Sequence, residues 1–274
     1  DYRELVARLK STRGTRARSF VDAHGDSPIG VRYLGHYLSA AGRDRRWGDL
    51  LAAARETPNS ERLRCYYARA KRGRGQEEEA WALARQLFLS PSSVDEACDP
   101  LFRLWRSSGG LTEDVVWGRA KLAFAARESG LLRYVASLGG PREPLRVLLQ
   151  VYRNPHRSAE LTASLPSPYR GETLVLGIER HSRYDPERAL AQYLRVETGL
   201  LDAPQKARIE RAIAFRGLIE RDEEVRAWID AQLPRWQDAD LAVLRLRWAI
   251  REEDWQTIRD LAAAVPEDER GDGV

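Results

Sequence analysis

The sequence predicts an all-α protein, a superhelix (α-solenoid) of stacked, irregular helical hairpins. Three observations lead there. Apolar residues recur three or four positions apart over most of the chain, the period of one helix face. Alternating runs of five or more residues bounded by turn chemistry, which would mark half-buried strands, are nearly absent. The breaks between periodic segments are short and carry the chemistry that starts or stops helices.

The stripe Leu34, Tyr37, Leu38, Ala41 follows Asp26-Ser27-Pro28, where a serine can cap and a proline fits the first helical turn. Gly42 leads from it into Trp47-Gly48-Asp49-Leu50-Leu51. Thr57-Pro58-Asn59-Ser60 opens the segment Cys65-Tyr66-Tyr67-Ala68-Arg69-Ala70, which turns through Gly73 and Gly75 into Glu79-Ala80-Trp81-Ala82-Leu83. There the stripe is Trp81, Ala84, Arg85 and Phe88, with the arginine stem flanking it. Later breaks fall at Ser90-Pro91-Ser92, Ser107-Ser108-Gly109-Gly110, Gly139-Gly140-Pro141, Asn154-Pro155, Tyr184-Asp185-Pro186 and Asp202-Ala203-Pro204. The last clear stripes are Val225, Trp228, Ile229, Leu233 and then Ile258, Leu261, Ala262, Val265. The breaks predict helices of about 10–16 residues.

Trp47 and Trp81 stand 34 residues apart, the period of tetratricopeptide-type hairpins. Leu244-Arg245-Leu246-Arg247-Trp248-Ala249 followed by Trp255-Gln256-Thr257-Ile258 is a shorter version. A single amphipathic pair cannot hide its apolar face, so the pairs must stack. No composition shift marks an internal boundary. One superhelical domain is expected over residues 1–265, with the polar stretch 266–274 a frayed terminus or the start of a linker.

The chain has 274 residues, with 45 Lys+Arg (all but four of them arginine) against 41 Asp+Glu. At 43% hydrophobic it is too apolar to be disordered. No apolar run approaches the roughly 18–20 residues of a membrane span, so no transmembrane segment is expected. Arginines are scattered among acids, without the concentrated basic footprint of a nucleic-acid binder, and no nucleic-acid partner is expected. The Asp1 start and the absence of methionine suggest one piece of a longer product, with any export signal removed or outside it.

Candidate chemistry is sparse. Two cysteines exclude a disulfide scaffold and a Cys-rich zinc or iron–sulfur protein. His24, His36, His156 and His181 lack metal-ligand spacing, so they read as exposed or hydrogen-bonded residues at helix ends. There is no phosphate-binding glycine loop and no Gly-x-Ser-x-Gly elbow; neither metal nor cofactor is expected. Glu128 is the one tempting acid, but Arg127-Glu128-Ser129-Gly130 reads as a solvated helix C-terminus ending at a glycine cap. Tyr66, Tyr67, Trp81, Phe88, Phe102, Trp105 and Trp117 read mainly as core, with a minority free to line a sugar-stacking groove. Cys65 and Cys98 could be buried small hydrophobes or, in an exported protein, a disulfide closing 33 residues; composition leaves both open.

From Leu63 to Gly109 the chain carries, in order, Arg64-Cys65-Tyr66-Tyr67-Ala68, Glu79-Ala80-Trp81, Ala97-Cys98-Asp99-Pro100-Leu101-Phe102 and Trp105-Arg106-Ser107-Ser108-Gly109. In these blocks it resembles the soluble lytic murein transglycosylases of Gram-negative bacteria. The segment from Phe20-Val21 to Leu51 and the later helices fit that family's helical domain more loosely, so the resemblance covers most of the chain. It implies a periplasmic enzyme in which a U-shaped helical superhelix and a linker domain form a ring beside a lysozyme-like catalytic domain. In that family a glutamate acts as acid and then base, and the sugar's own 6-hydroxyl displaces the β-1,4 bond between N-acetylmuramic acid and N-acetylglucosamine. The family's catalytic Glu-Ser is followed by Gly-Leu-Met-Gln and later Asn-Ala-Gly, and neither motif is in these residues. The resemblance therefore implies the U-shaped scaffold alone, with no catalytic residue and no activity by itself. It implies peptidoglycan and the linker and catalytic domains of the same polypeptide as partners. Cys65 and Cys98 match the family's cysteines, which implies a disulfide between them. The rival reading from the residues is a stand-alone α-solenoid that binds a protein partner.

Overall fold

The structure, a computed structural model, describes residues 6–24 and 27–262; the expected polar terminus at 266–274 lies outside them. Among the described residues the fold is all-α, with sixteen α-helices, two 3-10 turns and no strand. The chain forms two compact units, Asp1–Gly140 and Pro141–Val274. The division falls at Gly139-Gly140-Pro141, where both glycines hold positive φ (119° and 92°) that other residues rarely adopt. The sequence marks this place as one helix break among several; nothing in its composition sets it apart.

In the first unit α1 (Gly14–His24), α2 (Pro28–Arg43), α3 (Trp47–Ala53), α4 (Glu61–Gly73) and α5 (Glu77–Phe88) pack neighbour on neighbour. A 3-10 turn (Glu96–Cys98) leads into α6 (Asp99–Ser107), and α7 (Glu113–Ala125) pairs with α8 (Ser129–Ser137). Ser27 caps α2, its hydroxyl accepting from Gly30 N–H at 3.2 Å, with Pro28 in the first turn. Tyr33, Tyr37, Leu38, Leu50, Leu101 and Val115 fill the core between these helices. Gly42 is required there: a Cβ would sit 2.3 Å from the Tyr66 ring, so any side chain would push α2 off α4.

The second unit runs through α9 (Arg142–Arg153), a 3-10 turn (Pro155–Arg157), α10 (Ser158–Thr162), α11 (Tyr169–Ser182) and α12 (Pro186–Leu194). It continues with α13 (Ala203–Glu220), α14 (Glu223–Trp236), α15 (Ala239–Arg251) and α16 (Trp255–Ala262). Asp185 caps α12, accepting from Arg188 N–H at 2.8 Å. Asp202 and Gln205 form a full capping box on α13, each side chain satisfying the other's backbone N–H. Leu174, Ile178, Ile209, Ile213, Ile229 and Leu241 form the core. Helices run from 5 to 18 residues, a wider range than the stripes predict, because several stop at turns and 3-10 segments that periodicity does not show.

One turn joins many of the hairpins. After α2, α4, α6, α7, α13 and α15 one residue adopts positive φ, namely Arg45, Gly75, Gly109, Arg127, Arg221 and Glu253. The next N–H then bonds the carbonyl five residues back: Arg46 to Ala41, Gln76 to Lys71, Gly110 to Trp105, Glu128 to Ala123, Asp222 to Gly217 and Asp254 to Ala249. This is the Schellman closure, which satisfies carbonyls that a helix end would leave orphaned. The structural repeat is therefore this turn and not the tryptophans. Arg45 and Gly75 are equivalent, while Trp47 opens α3 and Trp81 lies a turn inside α5.

Candidate functional site

Cys65 on α4 and Cys98 at the entry to α6 are both fully buried and joined as a disulfide, with Cα atoms 4.9 Å apart. Beside them Arg62 Nε donates to Asp95 Oδ2 at 2.9 Å, and Asp95 N–H donates to Glu61 Oε1 at 2.6 Å. Together these contacts hold the loop after α5 against α4.

The aromatic residues divide as their chemistry suggests. Tyr66, Tyr67, Phe88, Trp105 and Trp117 are buried, whereas Trp81 and Phe102 are half-buried. Phe88 meets Phe102 edge-on at 5.5 Å and Trp105 at 5.6 Å. Beneath Phe88 lies the Arg119 guanidinium, 4.3 Å from the ring and buried. Burial depresses the Arg119 pKa below its ordinary value, with Tyr134 and Glu61 opposing that effect. Gly110 lets the Trp105 indole lie against the backbone, since a Cβ there would collide with its Nε1. Along this layer runs a groove of about 430 Å³, edged by Phe102, Tyr134, Asp99, Arg103 and Arg106. Tyr134, which edges the groove, is 56% exposed.

A larger groove, about 860 Å³, lies in the second unit. Its wall is a stack in which Arg180 sits 3.9 Å from the Tyr152 ring centroid and 5.7 Å from that of Tyr184. Arg180 Nε donates to Tyr152 O at 2.7 Å, which fixes the guanidinium plane. Behind it, His181 Nδ1 is 2.9 Å from Gln192 Oε1, and Gln192 Nε2 donates to Ser158 Oγ at 2.6 Å. His156 stands 6.3 Å from His181, ring to ring. Aromatic faces beside fixed cations and hydrogen-bonding groups suit sugars and their acidic substituents.

Residues read from the sequence fall unevenly on these grooves. Phe88, Phe102 and Trp105 reach the first groove; Tyr66, Tyr67 and Trp117 belong to packing. His156 and His181 converge on the second although 25 positions separate them in the sequence, and His181 is the hydrogen-bonded kind, buried in the last turn of α11. Tyr134 and Tyr152 on helices, and Tyr184 in the turn before α12, carry no pattern that the sequence shows. Glu128 is exposed and forms the N-cap of α8. The expected glycine cap is corrected: Arg127 takes the left-handed turn position (φ 66°), and Gly130 lies inside the next helix. Among the described residues no cluster of three His, Cys, Asp or Glu could hold a metal ion. No described helix is long and apolar enough to cross a membrane.

Fold and grooves together define a helical-hairpin protein whose grooves set aromatic rings beside arginines. No family model matches the chain. Its relatives are soluble lytic murein transglycosylases: it is 25% identical over 272 residues to that of Escherichia coli K12, covering 97% of this chain and 42% of the relative. That of Salmonella typhimurium is likewise 25% identical, over 271 residues. Among solved structures, the 70-kDa soluble lytic transglycosylase of Escherichia coli matches with a TM-score of 0.79 at 24% identity, over 99% of this chain and 45% of that one. The lytic transglycosylase Slt of Pseudomonas aeruginosa, solved as an inactive mutant, matches with a TM-score of 0.77 at 28% identity over the same shares. The resemblance carried by Leu63 to Gly109 thus extends over nearly the whole chain. The chain spans less than half the length of the relatives it matches.

Proposed function

We propose that these residues form the helical scaffold of a periplasmic soluble lytic murein transglycosylase, one that helps hold peptidoglycan for a catalytic domain outside them. That domain would break the bond between N-acetylmuramic acid and N-acetylglucosamine without water. The observation that carries the reading is the end-to-end match to transglycosylases, at a TM-score of 0.79, that occupies only 45% of their length. Two features support it. Both grooves set aromatic rings beside arginines, a surface that attracts an acidic glycan without reading a sequence. The oxidised Cys65–Cys98 pair suits an oxidising compartment such as the periplasm.

The test is sedimentation with purified sacculi. The chain should pellet with them and be released by salt, because the attraction is between screened charges. The chain alone should release no anhydromuropeptides. Failure to pellet at low salt would refute the scaffold role, and turnover by the isolated chain would refute its lack of a catalytic residue.

A further inference from the structure

Between the α2–α3 turn, the end of α4 and the outer face of α6 lies a pocket of about 480 Å³. It is lined by Arg45, Arg69, Arg72 and Arg103, with Trp47 and Leu104 among its apolar walls. No carboxylate is among its lining residues. Elsewhere the chain pairs such arginines with acids, as in Arg62–Asp95, Arg208–Glu179 and Arg211–Asp238. Here Glu77 Oε1 stands 3.9 Å from Arg72 Nε, and that nitrogen is buried without a hydrogen-bond partner.

Two of these cations, Arg69 and Arg72, are held against aromatic rings, while Arg45 and Arg103 are exposed. Arg69 lies over Trp47 at 5.2 Å and over Tyr66 at 5.7 Å, and Arg72 lies over Trp81 at 5.7 Å. Gly73 completes the wall: a Cβ there would come within 2.5 Å of Trp47 and displace the ring on which Arg69 rests. Burial, followed by the charges of Arg45 and Arg103, depresses the Arg69 pKa below its ordinary value. Like charges gathered this way repel one another, and an anion among them would reverse the sign of that interaction. The α4 C-terminus accounts for Arg72, which complements the helix dipole. It does not account for Arg45 and Arg103, which come from other elements.

We propose that Arg45, Arg69 and Arg103 form a binding site for the free carboxylates of a short peptide. Guanidinium forks match carboxylates bidentately. The apolar wall of Trp47, Pro100 and Leu104 gives a peptide's aliphatic stem a surface that a hydrated inorganic anion could not use. The volume lies in the range of about 300–1,000 Å³ typical of small-ligand sites. That the peptide is a peptidoglycan stem rests on the scaffold reading above; the carboxylate chemistry does not.

The experiment is calorimetric titration of the whole chain with a synthetic stem tetrapeptide, the same peptide with its carboxyls amidated, and inorganic phosphate. The free-acid peptide should bind, and amidation should weaken it about tenfold or more, the worth of one charge-assisted hydrogen bond. Arg103→Gln and Arg45→Asn alter exposed side chains, and asparagine tolerates the left-handed turn, so both should melt like the parent. Each should weaken the free-acid peptide about tenfold and leave the amidated peptide unaffected. Binding untouched by the double variant, equal binding of both peptides, or tighter binding of phosphate would overturn the site. If the double variant still pellets with sacculi but has not lost peptide binding, the site fails and the scaffold role stands. If peptide binding behaves as expected and the parent chain does not pellet, the scaffold role fails and the site stands.

Discussion

Reducing the Cys65–Cys98 bond should destabilise the first unit by about 3–4 kcal/mol, the chain-entropy value for releasing a closed loop of 33 residues. The structure makes this a clean perturbation. Both sulfurs are fully buried, so reduction leaves two thiols in the core and opens no cavity, and the sulfurs, no longer bonded, must move apart, which can only add to the loss. The contacts that share the clamp are weak by comparison. Arg62–Asp95 is a half-exposed ion pair, worth about 0.2–1 kcal/mol, and cannot replace the covalent link. For a unit of this size the expected loss corresponds to a fall of about 8–15 °C in melting temperature. Circular dichroism melts with and without a phosphine reductant measure it, and mass spectrometry of alkylated protein reports the bond itself. The variant Cys65→Ala/Cys98→Ala should show no further response to reductant. Coincident melts of oxidised and reduced protein would refute the reasoning, since the loop would then cost nothing to close. Two alkylatable thiols in protein made in an oxidising compartment would refute the pairing.

Two further outcomes follow from buried polar groups. Arg245 is 2% exposed, and its Nε and one terminal nitrogen donate to the Asp230 carboxylate at 2.7 and 3.0 Å. Asp230 is itself 41% exposed, and Asp254 and Glu252 also act on the guanidinium. Asp230→Ala should therefore cost about 1–3 kcal/mol in urea unfolding by removing both charge-assisted hydrogen bonds, whereas Asp230→Asn/Arg245→Met should cost less. A loss below about 1 kcal/mol would place the pair with ordinary surface bridges. In the second unit, burial and the Glu210 carboxylate, which accepts the Tyr193 hydroxyl at 2.7 Å, raise the Tyr193 pKa well above its ordinary 10.0. Burial also raises Tyr33 and Tyr37. In the unfolded chain these phenols ionise near pH 10 while the folded ones keep their protons, so this contribution is whole below pH 10 and is lost as pH rises above it. Urea midpoints from about pH 9 to 12 should fall, and less steeply in Tyr193→Phe; a flat profile would refute the assignment.

Much of the helical framework was legible because its signals are local. Ser27-Pro28, Asp185-Pro186 and Asp202-Ala203-Pro204 start helices in the structure as their chemistry requires. Tyr37, Leu38 and Ala41 are buried on the face their spacing marks. The hairpin turns were less legible. A left-handed residue is usually glycine, yet Arg45, Arg127, Arg221 and Glu253 occupy that position, at about 1 kcal/mol each over glycine. Packing of the paired helices offsets that cost, so the repeat survives in the backbone after the sequence has lost it.

What the residues alone determine here is the all-α class, the starts of several helices, and a resemblance resting on cysteine and aromatic blocks between Leu63 and Gly109. Tertiary structure decided which side chains share a surface. His156 meets His181, Tyr152 and Tyr184 enclose Arg180, and Arg45 joins Arg69 and Arg103 across three elements. No spacing rule links those positions, because helical period orders a chain over a few turns only. Groups brought together by stacked hairpins depend on the lengths of the intervening helices and turns, and those are set by packing.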